Sequence, residues 1–130
     1  MLALDVGDKK IGVAVSDAVG ILASPLTVIR RETREGAISE VLRLAGEYQV
    51  KEILVGLPRT MAGDTGSQAV KVQGFGAALQ AITDLPVIFR DERLTTVSAK
   101  RLLREKGKRR AEEDAIAAAL ILQGYLEESR

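Results

Sequence analysis

The chain begins with two apolar runs separated by a short polar turn, and this pattern constrains the fold more than any other stretch. The first run, residues 2–4, ends on the carboxylate of Asp5, and the second covers residues 11–15. Glycine and charged residues at 7–10 join the two runs, as in a β-hairpin. The apolar neighbours of Asp5 predict a first strand that is buried on both faces. A carboxylate there either accepts hydrogen bonds from its own turn or is paired with a cation, because a buried unpaired charge is costly.

Beyond the hairpin, the hydropathy pattern predicts further strands and helices. Strands are predicted at three apolar segments: 21–30, 52–57 and 86–89. Helices are predicted at four segments with apolar residues at helical spacing: 33–48, 67–82, 95–106 and 112–127. Pro25 places its strand at an edge or a bulge, and Thr33 is a candidate helix cap. The last helix is apolar nearly all round, so we expect it to be buried.

This order of elements predicts an α/β fold with a mixed five-stranded sheet. Hairpins join the three N-terminal strands, which are therefore antiparallel. The later strands follow helices and run parallel to the first strand, through right-handed crossovers. Helices then cover both faces, and the first strand lies beside the strand at 52–57. The whole chain, residues 1–130, has the length of one such domain with a single core.

Two absent residue types restrict the chemistry. The sequence contains no His and no Cys, which excludes Ser-His-Asp triads, Cys-His pairs and ordinary zinc sites. A catalytic site must therefore use carboxylates, basic groups, hydroxyls and backbone, and carboxylate oxygens suit Mg²⁺ or Mn²⁺. The lack of cysteine, of a secretion signal and of an apolar run of about 18 residues predicts a cytoplasmic protein with no membrane partner.

Three acidic residues are predicted to meet at one end of the sheet, where its parallel strands end. Asp5 and Glu92 stand at the carboxyl ends of strands, where active sites form in parallel sheets. The last helix can bring Asp114 beside them, although the helix dipole alone also favours an Asp in a first turn. Three converging carboxylates, in a chain without His or Cys, are typical of a site in which two divalent ions promote phosphodiester hydrolysis.

Positive charge is concentrated between residues 90 and 110. Nine basic and three acidic residues give this stripe a net charge of +6, against −5 for the rest of the chain. Such a stripe binds a polyanion or forms a solvated helix face. The candidate nucleic-acid-binding residues lie in this stripe and in the first turn: Lys9, Lys10, Arg93, Lys100, Arg101, Arg104, Lys108, Arg109 and Arg110. Aromatic residues are few, and we expect Phe89 and Tyr125 in the core, so recognition should depend on backbone and shape.

Four motifs, in this order and at this spacing, resemble the YqgF (RuvX) family of ribonuclease H-like nucleases: LDVGDKKIGVAVSD, VGLP, DERLTT and DAIAAALILQGYL. The resemblance covers essentially the whole chain and implies the ribonuclease H fold. Proteins of this family are described as candidate Holliday junction resolvases and are implicated in maturing the 5′ end of pre-16S ribosomal RNA. By this resemblance, Asp5, Glu92 and Asp114 occupy the catalytic, metal-binding positions, with two Mg²⁺ or Mn²⁺ ions expected.

Several functions stay open at this point. The first is a metal-dependent nuclease acting on structured RNA, such as pre-rRNA on the ribosome. The second is a resolvase of branched DNA, which normally needs two active sites in a dimer, and the sequence does not decide between monomer and homodimer. A third is a non-catalytic RNA-binding factor in ribosome assembly. An actin-like nucleotide-binding domain also begins with a D-x-G hairpin, but it needs a second domain for which 130 residues leave no room.

Overall fold

The computed structural model describes residues 1–57, 66–91 and 110–128, with the backbone alone for 110–113. The elements in these ranges are β1 (Leu2–Val6), β2 (Lys10–Ser16), β3 (Ala23–Arg30), α1 (Arg34–Glu47), β4 (Ile53–Leu57), α2 (Ser67–Gln80), β5 (Val87–Asp91) and α3 (Arg110–Glu128). The helix predicted at 95–106 and the segment 58–65 that follows β4 lie outside the described residues.

The five strands form one mixed sheet in the order β3-β2-β1-β4-β5. β1 pairs antiparallel with β2, and β2 pairs antiparallel with β3. β4 lies parallel to β1 on one side and to β5 on the other. The prediction of a mixed five-stranded sheet with the first strand beside the strand at 52–57 is therefore confirmed.

Helices cover both faces of the sheet, and β1 shows why. Leu2 and Leu4 point to the face covered by α1 and α2, whereas Ala3, between them, points to the face covered by α3. All three side chains have no exposed surface. Successive side chains of a strand alternate between faces, so the uninterrupted apolar run of β1 is explained by a helix layer on each side.

The edge strands β3 and β5 confirm one prediction and contradict another. Pro25 lies on the edge strand β3, and the register of β3 against β2 shifts at its partner Ala14, as a proline that lacks an N–H donor requires. The expectation of a buried Phe89 is wrong, because this residue is 40% exposed on the outermost strand, β5. Phe75 of α2 is instead the fully buried aromatic residue.

The helix ends are set by local chemistry and by packing. Thr33 caps α1 as predicted, since its Oγ1 accepts a hydrogen bond of 3.0 Å from the Gly36 N–H. α3 begins at Arg110, two residues before the predicted start. In the ranges that the structure describes, no helix combines the length and the apolar character needed to cross a bilayer.

Helix α3 is fixed to the sheet at its C-terminal half. The Gln123 side chain accepts a hydrogen bond of 2.9 Å from the Ala23 N–H and donates one of 3.0 Å to the Ile21 carbonyl. On the other side, Arg90 of β5 makes a two-pronged ion pair with Glu128, with N···O distances of 2.5 and 2.7 Å. These contacts hold α3 across the sheet from β3 to β5.

Glu128→Gln should lower stability at neutral pH and have little effect in acid. Hydrogen bonds from Arg90 hold the pKa of the Glu128 carboxyl below its ordinary value. The carboxylate therefore stabilises the fold fully above the unfolded pKa, and this contribution is lost as pH falls through the folded pKa. Urea unfolding of both proteins at neutral pH and at about pH 3 measures the difference. Equal differences at both pH values would contradict a role for the ion pair.

Candidate active site

Asp5 occupies the fourth position of the central strand β1 and is half-buried. Its partner across the antiparallel ladder is Gly12 of β2. Paired residues of antiparallel strands lie about 4.5 to 5.5 Å apart and point to the same face. That face is the one covered by α3, because Ala3, two residues before Asp5, packs there.

Gly12 lets the backbone of α3 touch the sheet. A Cβ atom at Gly12 would lie 1.8 Å from the carbonyl oxygen of Asp114 and 2.9 Å from the nitrogen of Ala115. No side chain fits in such a space, so glycine is required for this close approach. The same contact places Asp114 directly above the strand position that is paired with Asp5. The structure thus brings together two of the three predicted acidic residues.

Small residues on the α3 side of β1 and β2 leave little side-chain volume between these strands and the helix. Ala3 and Ala14 are paired across the two strands and fully buried under α3, and Gly12 lies two residues before Ala14 on the same face. Since these side chains occupy little space, the helix backbone approaches the strands closely. The geometry around the two acidic residues is therefore set by rigid elements, a central strand and a packed helix, and not by loops.

Asp114 lies two residues deeper in its helix than expected. α3 begins at Arg110, so Asp114 is its fifth residue and stands in the second turn. The prediction of a first-turn position is wrong, because the polar residues before Asp114 are already helical. The helix dipole acts on charges mainly in the first turn, and it therefore explains this half-buried carboxylate poorly.

The turn that follows β1 is held from two sides. It is closed by a hydrogen bond of 2.8 Å from the Gly7 N–H to the Lys10 carbonyl. Arg31, just after β3, donates from its guanidinium to the Gly7 carbonyl at 2.8 Å and from its backbone N–H to the Lys9 carbonyl at 2.8 Å. From α2, the Gln68 amide reaches the carbonyl of Val6 at 3.4 Å. These bonds fix the backbone immediately after Asp5.

The other predicted site residues divide into three groups. Lys9 is exposed and Lys10 is partly exposed, both in or next to this turn. Arg110 begins α3, and the structure describes its backbone alone. The remaining residues lie outside the described ranges: Glu92, Arg93, Lys100, Arg101, Arg104, Lys108 and Arg109. Their predicted roles stay predictions.

The chemistry of the donors suits a hard divalent cation. Within residues 1–57, 66–91 and 110–128, no group of three acidic side chains is placed to hold a metal ion. Asp5 nevertheless lies beside the point where the backbone of Asp114 meets the sheet, and carboxylate oxygens are the ligands that Mg²⁺ and Mn²⁺ prefer. The predicted third ligand, Glu92, follows directly after β5 in the chain.

Two residues of this site were not singled out by the sequence. Gly12 carried a signal, because an isolated glycine within a strand pattern indicates a close backbone approach. Arg31 carried none, since its contacts with Gly7 and with the ring of Phe75, 5.2 Å from its guanidinium carbon, join segments that are distant in sequence. Arg31 thus connects the turn to Phe75 of α2.

A family model described as "RuvX: Holliday junction resolvase" matches residues 1–128. The chain belongs to the RuvX family. A RuvX relative from Roseiflexus sp. (strain RS-1), named "Putative pre-16S rRNA nuclease", is 48% identical, and the match covers 100% of this chain and 95% of the relative. A relative of the same name from Moorella thermoacetica is also 48% identical, over 98% and 94% of the two chains.

Solved structures agree on the fold of this RuvX-family chain. Thermus thermophilus RuvC, solved in complex with a Holliday junction substrate, superposes with a TM-score of 0.63 at 16% identity, over 99% of this chain and 95% of RuvC. The fowlpox virus resolvase, solved with Holliday junction DNA, gives a TM-score of 0.60 at 12% identity, over 99% of both chains. The predicted family and the predicted ribonuclease H-like fold are confirmed.

Proposed function

We propose that this RuvX-family protein is a metal-dependent nuclease that hydrolyses phosphodiester bonds in the 5′-end processing of pre-16S ribosomal RNA. The observation that carries the proposal is the meeting of Asp5 and Asp114 across Gly12. The names of relatives that are 48% identical over nearly their whole length support RNA as the substrate. This function places the protein in the cytoplasm, with nucleic acid as its partner and without a membrane.

In this proposal, Asp5, Glu92 and Asp114 hold two divalent ions, Mg²⁺ or Mn²⁺. When bound, such ions activate a water molecule and stabilise the charge on the departing oxygen. The protein supplies a fixed frame for them. Asp5 stands on a central strand that is paired on both sides, and Asp114 stands on a helix in backbone contact with the sheet. Side chains on such elements do not have to be ordered when the substrate binds.

The basic residues hold the substrate in place. Lys9 and Lys10 stand in and next to the turn that follows β1, so a phosphate bound there lies close to Asp5. The basic stripe between 90 and 110 ends at the first residue of α3 and supplies seven further candidate contacts. Contacts of this kind recognise the sugar-phosphate backbone, and we therefore expect a binding affinity that falls steeply with salt.

Digestion of a pre-16S rRNA precursor tests the proposal. The wild-type protein should shorten the 5′ end of the precursor in Mg²⁺ or Mn²⁺, and chelation of the metal should stop the reaction, because the carboxylates alone provide no group that activates water effectively. A four-way DNA junction serves as the parallel substrate. Tight RNA binding without cleavage in either metal would contradict nuclease activity and favour the assembly-factor alternative.

Resolution of branched DNA is the second candidate, and the description of the matching family model favours it. Symmetric cleavage of a four-way junction normally requires two active sites related by a dimer axis. If the protein cuts the junction in preference to the RNA precursor and sediments as a dimer, this candidate replaces the first. A monomer that cuts only the precursor would exclude it.

A further inference from the structure

Basic side chains gather at the end of the sheet where β1 ends and β2 begins, close to Asp5 and on the side of α2. The set comprises five residues, here called the turn-edge cluster: Lys9, Lys10, Arg31, Arg34 and Lys71. We propose that the turn-edge cluster extends the phosphate contacts of Lys9 and Lys10 onto α1 and α2, so that Arg31, Arg34 and Lys71 bind the substrate backbone on the α2 side of the turn. The proposal rests on the proposed function, because it assigns further contacts to the same nucleic acid.

The topology places the five residues together. Lys9 lies in the turn after β1, and Lys10 begins β2, where it pairs with Arg30, the residue before Arg31. Arg34 is the first residue of α1, and its guanidinium lies 3.6 Å from where a Cβ on Gly74 of α2 would stand. Lys71 of α2 has its ammonium 3.6 Å from the carboxylate of Asp8 in the turn. These contacts connect the turn, β3, α1 and α2.

Arg31 is already oriented at the centre of this cluster. One of its five N–H donors is used on the Gly7 carbonyl, and its guanidinium carbon lies 5.2 Å from the centre of the Phe75 ring. Among the described residues, no carboxylate forms an ion pair with Arg31 or with Arg34. A guanidinium held by stacking and by one hydrogen bond loses little side-chain entropy when it binds a phosphate with its other donors.

At this end of the sheet, basic residues outnumber acidic residues. Asp8, Glu32 and Glu35 are exposed there, against five basic residues. The ion pair between Lys71 and Asp8 joins side chains that are 63% and 65% exposed, and pairs of that kind contribute little and open easily. Towards the other end of α1 the situation differs, because Arg43 is engaged by both Glu40 and Glu47. Arg34 of α1, unpaired among the described residues, and the weakly paired Lys71 of α2 thus lie at the end of the sheet where Asp5 stands.

The double variant Arg34→Gln/Lys71→Gln tests this surface without touching the carboxylates. We expect it to bind a duplex from the 5′ end of pre-16S rRNA about tenfold more weakly at low salt, because two phosphate contacts are lost. The slope of log affinity against log salt should decrease by about 2. Binding is measured in an Asp5→Asn background, so that the probe stays intact. Circular dichroism and thermal melting should show an unchanged fold, since both side chains are exposed.

The matched control is Arg43→Gln/Lys51→Gln, which removes the same charge away from the site. Lys51 precedes the amino end of β4, at the opposite end of the sheet from Asp5. Arg43 lies in the second half of α1. Its affinity and salt slope should equal those of the parent protein. Equal affinities of the two double variants would overturn the proposal.

A four-way DNA junction as a second probe separates the two sources of phosphate. Weaker binding of both probes supports a general backbone contact, and weaker binding of one probe assigns the surface to that nucleic acid. Failure of the proposed function is read separately, from cleavage by the protein that retains Asp5.

Discussion

Asp5→Asn should reduce metal-dependent cleavage about 10³-fold or more while leaving the fold and nucleic-acid binding intact. Asn keeps the shape of the side chain but removes the negative charge that holds a divalent ion, and a metal ion contributes several kcal/mol to the stabilisation of such a transition state. Single-turnover cleavage of the rRNA precursor measures the loss. Thermal unfolding and filter binding of the same variant show whether fold and affinity are unchanged.

Asp84→Asn is the matched control for this substitution. Asp84 is exposed in the turn before β5. It lies at the amino end of this strand and so at the opposite end of the sheet from Asp5. It loses the same charge, and its cleavage rate should equal that of the wild type. If Asp5→Asn cleaves at the wild-type rate, or if both variants lose activity equally, Asp5 is not a ligand of the catalytic metal.

Gly12→Ala should damage stability and activity together. The added methyl group would lie 1.8 Å from the carbonyl oxygen of Asp114, and two rigid elements meet there, so the helix must move by about 1 Å or more. Overpacking of this kind costs about 1 to 3 kcal/mol. The shift also displaces Asp114 relative to Asp5, and a misplacement of 1 Å can cost about 10²-fold in rate. Urea unfolding and precursor cleavage measure the two effects.

Gly46→Ala provides the control for the methyl group itself. Gly46 lies near the end of α1, and a Cβ there meets no atom within 4 Å. Alanine favours a helix over glycine by about 1 kcal/mol, so this variant should be as stable as the wild type or slightly more stable, with full activity. A Gly12→Ala protein that behaves like Gly46→Ala would show that α3 does not depend on the close contact.

The hairpin and the sheet order could be predicted because local pattern and topology rules agree there. Turn residues at 7–10 join two apolar runs, and Thr33 is followed by helical spacing, so that each boundary has a chemical signal. The rule that crossovers are right-handed and short then places β4 beside β1. The exposure of Phe89 could not be predicted in this way, because an apolar strand at the edge of a sheet has the same composition as one at the centre.

The candidate site could be predicted less completely. Residue chemistry indicates which carboxylates suit a metal, and the resemblance to a known family gives Asp114 its place among them. The sequence does not indicate that Asp114 reaches Asp5 through a backbone contact at Gly12, because that contact depends on how α3 crosses the sheet. The start of α3 at Arg110 was equally hidden, since charged residues before an apolar helix are as common in a connector as in a first turn.

The seating of α3 has a consequence for the order in which the protein becomes functional. Ala23 and Gln123, which join β3 to α3, are 100 positions apart in the chain, and Asp5 and Asp114 are similarly distant. Contacts between such distant segments close large loops and form slowly. Until α3 docks, the face of β1 and β2 with Ala3 and Ala14 is bare and the two carboxylates are apart. The two acidic residues of the candidate site therefore come together only when α3 docks on the sheet, and a chain with α3 undocked lacks the assembled site.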